Sequence, residues 1–208
     1  MAALEQEGQP EAGRLLVPVG ISVRHVHLCQ ADGETLFGAG FQLQPLRELY
    51  QPGEFASAQQ VHLAGPHNSL RNVRVLGPVR ERTQVEVSRS DAILLGIRPP
   101  VLQSVAHGRG ERVILAGPEG YVDARQAAIC AHRHIHTPPD LAAKWGLSDG
   151  DRVRVRVEGV RAAILEKVII RVQPRARLEL HLDTDEANAV GLMCEEQVEL
   201  LLEQEARP

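Results

Sequence analysis

Short apolar segments, separated by turn signals about every ten residues, most constrain how this chain can fold. Val153, Val155 and Val157 alternate with arginines, which is the period-2 pattern of a strand with one buried face. Further strands are predicted at Leu15–Val23, Val61–Ala64, Val73–Val75, Val85–Val87, Val113–Ala116, Val168–Val172 and Arg177–Leu182. Helices are predicted only at Pro138–Trp145, Asp185–Leu192 and Glu195–Glu203. The pattern indicates a mainly β, barrel-like fold with short capping α-helices.

Charge, apolar run length and cysteine content exclude several classes of protein. The 208 residues carry 23 Lys and Arg against 27 Asp and Glu, a net charge of −4, so we expect no nucleic-acid partner. The apolar runs fall far short of the ~20 residues that cross a bilayer, so we expect no membrane span. Three cysteines are too few for a disulfide framework and fit a reducing cytoplasm.

Two short sequences occur twice and suggest two similar halves. Arg24-His25-Val26-His27 returns 109 residues later as Arg133-His134-Ile135-His136, and Leu63-Ala64-Gly65-Pro66 returns as Leu115-Ala116-Gly117-Pro118. We therefore predict one β-barrel domain over residues 15–129 and a second over 130–208, the latter with a C-terminal helix. Strands are allowed to exchange between the halves. Residues 1–14 lack apolar periodicity and are predicted to be a flexible leader.

The two His-x-His sequences are candidate metal ligands. Side chains at i and i+2 of a strand point to the same face, so His25 and His27 can aim at one point, as can His134 and His136. Neutral imidazoles are good zinc ligands. A single His-x-His sequence is equally typical of a half-exposed polar strand face. Two copies, each preceded by an arginine, favour metal binding.

Three other residues have both an ordinary and a functional interpretation. His181 lies between two leucines and is either a hydrogen-bonded core histidine or a third ligand. Glu86 lies between two valines and is either part of a solvated strand face or a ligand. Arg80 follows a Gly-Pro turn and is either a surface arginine or a phosphate-binding group.

Taken in order, these sequences resemble a known family. Arg24-His25-Val26-His27, Gly77-Pro78-Val79-Arg80, Gln84-Val85-Glu86, Arg133-His134-Ile135-His136 and His181-Leu182-Asp183-Thr184-Asp185-Glu186-Ala187-Asn188 are similar to motifs of the PduL-type phosphate acyltransferases. These enzymes are also called phosphate propanoyltransferases and are associated with bacterial microcompartments. The resemblance covers about Val17 to Ala189.

The resemblance implies a fold, a reaction and a set of partners. It implies two β-barrels with the active site between them, two zinc ions, and interconversion of acyl-CoA plus phosphate with acyl phosphate plus CoA, the acyl group being acetyl or propanoyl. By matching motif, His25, His27 and Glu86 would hold one zinc, His134, His136 and His181 the second, and Arg80 the phosphate. It also implies a homodimer, in the cytoplasm or inside a microcompartment with shell or core proteins as partners. The leader would then be an encapsulation or targeting tail.

Two alternatives stay open at this point. A metal-dependent hydrolase or a cupin-type enzyme also places His-x-His on strands, although the glutamate that a cupin needs shortly after His27 is missing. A non-catalytic, zinc-binding microcompartment module is the other alternative. It is favoured by Leu102 and Val105, which replace an Arg and a Gly of the family pattern.

Overall fold

The computed structural model describes residues 14–104 and 108–202, and within them the chain forms 14 strands and four helices. The strands are β1 Leu15–Ser22, β2 His25–His27, β3 Pro45–Glu48, β4 Phe55–Ala64, β5 Ser69–Gly77, β6 Gln84–Glu86, β7 Val101–Leu102, β8 Glu111–Ala116, β9 Tyr121–Ala131, β10 His134–Thr137, β11 Arg152–Val157, β12 Ala163–Val172, β13 Glu179–Asp183 and β14 Gln197–Leu201. The helices are α1 Gln30–Phe37, α2 Arg89–Leu95, α3 Pro139–Trp145 and α4 Thr184–Val190. None of these helices is long and apolar enough to cross a membrane.

The chain divides into two compact units, each with its own apolar core. The terminal unit combines residues 14–22 with 133–202, and the central unit covers Val23–His132. The core of the terminal unit includes Val17, Val155 and Ile170, all fully buried. The core of the central unit includes Val26 and Leu63, also fully buried.

The terminal unit is a closed six-stranded barrel in the order β1-β13-β10-β12-β11-β14, with β14 pairing back to β1. In β11, Val153, Val155 and Val157 are buried while the arginines between them are exposed or half-buried, so the predicted alternation is confirmed. The helices at Pro139–Trp145 and Thr184–Val190 agree with the predicted ones to within two residues at each end.

The central unit is also a closed six-stranded barrel. Its strands follow the order β4-β5-β2-β6-β9, and β8 completes the ring by pairing with both β9 and β4. β3 also pairs with β4, and β7 also pairs with β9; neither is one of the six strands that close the barrel. The predicted fold class, a mainly β chain with two barrels and short helices, is therefore confirmed.

The predicted domain boundaries, 15–129 and 130–208, need correction. β1 pairs in parallel with β13 and antiparallel with β14, so residues 15–22 complete the barrel that the rest of the terminal unit forms. The second boundary falls after His132, because β9 continues through Ala131. Residues 1–13 of the predicted leader lie outside the described residues. Arg14 does not belong to a flexible leader, since its guanidinium contacts Glu158 at 2.6 Å and Glu199 at 3.2 Å.

The predicted C-terminal helix at Glu195–Glu203 is wrong. Residues 197–201 form β14, which lies between β1 and β11 and buries Val198 and Leu200. Val198, Leu201 and Leu202 have the i, i+3, i+4 spacing of a helix face, whereas Val198 and Leu200 have the i, i+2 spacing of a strand face, and barrel closure selects the strand.

Two helices, α1 and α2, were not predicted, although the sequence of α2 has recognisable start and stop residues. α2 begins at a capping box in which Ser88 and Asp91 satisfy each other's backbone N–H groups, and it ends at Gly96 with φ of 77°. α1 begins at Cys29, whose side chain makes no capping hydrogen bond, and it contains Gly33.

The repeated Leu-Ala-Gly-Pro sequence does not relate the two units, because both copies lie in the central one. The copies end β4 and β8, which pair with each other through Leu63 and Leu115. Two residues after each glycine, the backbone N–H donates to a carbonyl in the last turn of a helix: His67 to Leu95 of α2 at 3.1 Å, and Glu119 to Leu36 of α1 at 3.1 Å. The repeat is therefore a helix-capping turn used twice within one barrel.

Replacing either glycine of this turn with alanine should destabilise the central unit. A Cβ at Gly65 would overlap the carbonyl oxygen of Leu95, and a Cβ at Gly117 that of Leu36. Because backbone must move to relieve the overlap, we expect each variant to lose about 1–3 kcal/mol of unfolding free energy, measured in urea. Glu119→Ala is the control, since its exposed side chain can be removed while its N–H donor stays. Unchanged stability of Gly65→Ala and Gly117→Ala would contradict this account.

Candidate metal centres

Three predicted residues of the central unit converge on one point. β2 lies between β5, to which it is parallel, and β6, to which it is antiparallel, and the register places His25 opposite Glu86. His25, His27 and Glu86 are all buried, and each offers a ligand atom within 4.8 Å of the other two. We call this set the first triad.

The terminal unit repeats the arrangement. β10 lies between β12, parallel, and β13, antiparallel, with His134 opposite His181. His134 and His136 are buried and His181 is half-buried, and their ligand atoms again lie within 4.8 Å of one another. We call this set the second triad. His132, the third histidine of the alternating run, belongs to neither triad.

Hydrogen bonds around the first triad orient its imidazoles. Nδ1 of His25 lies 2.8 Å from the carbonyl oxygen of Val23, which accepts its N–H, and Nε2 lies 3.6 Å from Glu86 Oε2. Nδ1 of His27 is buried with no hydrogen-bond partner among the described residues. Burial, then the nearby His25 and Arg80, lower the pKa of His27 well below its ordinary value, with the Leu76 backbone opposing them. His27 is therefore neutral near pH 7.

Glu86 is held as a carboxylate at the same place. Gln84 Nε2 and Ser104 Oγ both donate to its Oε1 at 2.7 Å, which leaves Oε2 facing His25. Burial alone would raise the pKa of Glu86, but His25, Ser104, Arg80 and Gln84 together bring it below the ordinary value. The carboxylate is ionised and one of its oxygens is directed at the triad.

In the second triad, the Nε2 atoms of two imidazoles face each other. Nε2 of His134 and Nε2 of His136 are 3.1 Å apart, and Nδ1 of His136 lies 2.9 Å from Gln173 Oε1. Burial first, and His181 next, lower the pKa of His136 to about 4. His136 is therefore neutral at physiological pH, with Nδ1 protonated and Nε2 available as a donor atom.

Arg80 lies near the first triad. Its backbone N–H donates to Leu28 at 2.9 Å, at the end of β2, and its half-buried guanidinium is 3.6 Å from Glu54. The positive charge of Arg80 contributes to lowering the pKa of both His27 and Glu86. An arginine in this position places a cation beside the triad.

Both triads fit a divalent metal ion. Neutral imidazoles and an ionised carboxylate are zinc ligands, and a three-ligand set leaves the fourth position of a tetrahedral ion for substrate. A buried nitrogen without a partner, such as Nδ1 of His27, is unfavourable in an apo protein and is the kind of atom that a metal satisfies.

Known proteins with similar sequences show which family the chain belongs to. The family model described as phosphate propanoyltransferase matches residues 18–193. A phosphate propanoyltransferase of Thermotoga maritima is 49% identical over 175 residues, which are 84% of this chain and 83% of the relative. One of Rhodopseudomonas palustris is 45% identical over 88% of this chain and 81% of the relative, and one of Lachnoclostridium phytofermentans is 41% identical over 94% and 92%. The chain belongs to the phosphate propanoyltransferase family.

Membership in the phosphate propanoyltransferase family makes the chain an acyltransferase. Of the residues predicted from sequence, six form the two triads, and Arg80 acts electrostatically on the first. The interpretation of Glu86 as a solvated strand residue does not fit, because Glu86 is buried. His181 makes the contact that a hydrogen-bonded histidine requires, with Glu179, and it also lies within ligand distance of His134 and His136.

Sequence reasoning missed one residue that contacts the second triad. Glu179 is buried, lies opposite His136 in the pairing of β10 with β13, and contacts His181 Nε2 through Oε2 at 2.7 Å. Its carboxyl group occupies the space over Gly20, where a Cβ would overlap it. Glu179 precedes His181 by two residues on the same strand, so the i, i+2 rule applied to the histidines would have found it.

The metal-free protein should lose stability as the pH falls from 6.5 toward 4. The pKa of His136 is 6.5 in the unfolded chain and about 4 in the folded one, so between these values the unfolded chain binds more protons. His136→Gln should therefore show a shallower loss than wild type, by about 3 kcal/mol across the range. Urea unfolding after removal of metal measures this difference. Parallel pH profiles for the two proteins would contradict the assignment.

Proposed function

We propose that this acyltransferase interconverts a short-chain acyl-CoA plus phosphate with the acyl phosphate plus CoA, and that each triad holds one zinc ion. The acyl group is acetyl or propanoyl. The observation that carries the proposal is the presence of two buried donor sets, each built from a His-x-His strand and a third ligand on the neighbouring strand. The activity for which the relatives are named, phosphate propanoyl transfer, supports the class of reaction.

His25, His27 and Glu86 would hold one zinc, and His134, His136 and His181 the other. When bound in such a site, zinc lowers the pKa of a thiol, which is otherwise about 8.5, and withdraws electron density from a carbonyl oxygen. The first triad contributes one negative charge through Glu86, while the second is built from three imidazoles. The two ligand sets therefore differ in charge, although Glu179 places a carboxyl group against His181 of the second.

The bonds that change are those of the acyl carbon. In the direction of thioester synthesis, the sulfur of CoA forms a bond to the acyl carbonyl carbon, the carbon–oxygen bond to phosphate breaks, and phosphate leaves with the electron pair. In the reverse direction a phosphate oxygen attacks the thioester carbonyl carbon and the thiolate leaves. Both attacking groups come from the substrates, so no side chain of the protein has to act as the nucleophile.

Arg80 would bind the phosphate. A guanidinium forms two parallel hydrogen bonds with phosphate oxygens and keeps its charge at all physiological pH values. The guanidinium of Arg80 is half-buried and lies 3.6 Å from Glu54, a long distance for an ion pair. Phosphate bound here would lie close to the first triad, because the charge of Arg80 already acts on His27 and Glu86.

Two further parts of the family resemblance belong to the proposal. We propose a homodimer, which sedimentation of the purified protein measures directly. We also propose a cytoplasmic location, either free or inside a bacterial microcompartment; fusion of residues 1–14 to a fluorescent protein tests whether they direct encapsulation.

Removing the metal should abolish acyl transfer. With acetyl phosphate or propanoyl phosphate plus CoA, we expect thioester absorbance to rise in the presence of zinc, to stop rising after chelation, and to recover when zinc is returned. Metal analysis of the same sample should give about two zinc ions per chain. The ratio of rates with the two acyl phosphates assigns the acyl group.

Three results would contradict the proposal in different ways. Phosphate release without thioester formation would indicate a hydrolase. Bound zinc without any reaction would indicate a non-catalytic module, and absence of zinc in an active protein would remove the metal centres from the mechanism.

Replacing Arg80 with alanine should impair the use of phosphate without removing metal. Loss of one charged hydrogen-bond donor to a reacting oxyanion lowers turnover by about 100-fold or more, and we expect a raised KM for phosphate and an unchanged zinc content. Arg112→Ala is the matched control, because Arg112 is an exposed arginine of the same unit that pairs with Asp123. Equal loss of zinc and activity in Arg80→Ala would contradict the assigned role.

A further inference from the structure

Each His-x-His strand is preceded by an arginine, and the proposed acyl transfer uses neither of them. Arg24 precedes His25, and Arg133 precedes His134. Both arginines belong to the repeated Arg-His-x-His sequence, but neither is a proposed metal ligand. Both make ion pairs within their own unit.

Arg24 contacts the first turn of α2. Its Nε and Nη2 lie 2.8 Å and 2.7 Å from Oδ1 of Asp91. Asp91 is buried, and its other oxygen, Oδ2, accepts the backbone N–H of Ser88 at 3.3 Å within the capping box. Arg24 is thus tied to the residue that caps α2.

Arg133 makes the corresponding contact with α4. Its Nη1 lies 2.8 Å from Oε1 of Glu186, while its Nε donates to the carbonyl of Glu166 on β12 at 2.9 Å. The backbone N–H of Glu186 donates to Oδ1 of Asp183, the N-cap of α4, at 2.8 Å. Arg133 is therefore also tied to a capped first turn.

The two ion pairs occupy the same position relative to their triads. The third ligand, Glu86 or His181, is followed two residues later by the N-cap residue of a helix, and five residues later by the acid that the arginine binds. Both acids are the third residue of their helix, where a carboxylate is favoured by the helix dipole. The helix start is thereby a rigid extension of the strand that carries the third ligand.

We propose that Arg24–Asp91 and Arg133–Glu186 are matched positioning contacts, each of which holds a His-x-His strand in place against the strand that carries the third ligand of its own metal centre. We call them the first and second latch. The proposal rests on the proposed metal centres. The paired strands are short, three residues each for β2 and β6, so few backbone hydrogen bonds hold the register and a side-chain contact beyond the strand end adds a constraint.

The two latches differ in exposure. The side chains of Arg133 and Glu186 are 26% and 27% exposed, and an ion pair with this exposure contributes little to global stability. Arg24 is 39% exposed but Asp91 only 5%, so Arg24→Gln also leaves a buried carboxylate without its charged partner, and its unfolding free energy in urea is measured beside its zinc affinity. Metal affinity is more sensitive to the loss of such contacts. Replacing a residue that orients a metal-ligating side chain typically weakens metal binding about 10–100-fold.

Each latch can be broken without touching a ligand. Arg24→Gln and Arg133→Gln keep most of the side-chain length but remove the charge. To report on one centre at a time, each is combined with His134→Ala, which leaves only the first triad complete, or with His25→Ala, which leaves only the second. Zinc affinity is measured by competition with a chromophoric chelator, and the d–d absorbance of bound Co²⁺ reports the ligand geometry.

We expect a crossed pattern. With only the first triad complete, Arg24→Gln should weaken zinc binding about tenfold and change the Co²⁺ spectrum, while Arg133→Gln should do neither. With only the second triad complete, the two variants should exchange their effects. Arg24→Lys, which keeps the charge, should recover part of the affinity. Arg125→Gln, at an exposed arginine of the central unit that pairs with Asp123, is the control and should change nothing.

The outcomes separate this proposal from the proposed function. A wild-type chain that binds two zinc ions and latch variants that bind them equally well would overturn the latches alone. Equal weakening of both centres by either variant would also overturn them, because it would indicate general destabilisation. A wild-type chain that binds no zinc would overturn the metal centres and the latches together.

Discussion

The antiparallel pairing between a His-x-His strand and the strand that carries the third ligand is the contact on which the candidate centres depend. Residues directly opposite in such a pair have Cβ atoms about 4.5–5.5 Å apart, so His25 meets Glu86 and His134 meets His181 without any loop having to close. A shift of register by one residue would turn every histidine to the other face of its strand. Each barrel prevents that shift by flanking the histidine strand on both sides, with β5 and β6 in one unit and β12 and β13 in the other.

Burial of these side chains has a cost that other parts of each unit offset. Neutral histidines taken out of water lose hydration, and Nδ1 of His27 has no compensating hydrogen bond within residues 14–104 and 108–202. The stabilising contribution comes from the apolar core of each barrel, where Val26 and Ile135, the central residues of the two His-x-His strands, are fully buried. A metal ion would reverse the cost by using the same nitrogens as ligands.

The sequence predicted the β class and the residues that form the two triads better than it predicted which strands pair with each other. Alternation such as that of Val153 to Val157 depends on local burial and can be seen in the chain, and the two Arg-His-x-His sequences are distinctive because chemistry restricts them. The placement of β1 in the terminal barrel depends on pairing with β13 and β14, more than 150 residues away, which no local pattern encodes. β14 was mistaken for a helix because Val198 and Leu201 also have the i, i+3 spacing of a helix face. Glu179 was overlooked because an acid next to a leucine has many ordinary explanations.

Anomalous diffraction at the zinc absorption edge, from crystals of the purified protein, tests the central claim most directly because it locates each metal without reference to activity. We predict two peaks per chain, one bounded by His25, His27 and Glu86 and the other by His134, His136 and His181. A single peak, or peaks away from these side chains, would contradict the account of two centres built on the same pair of strands.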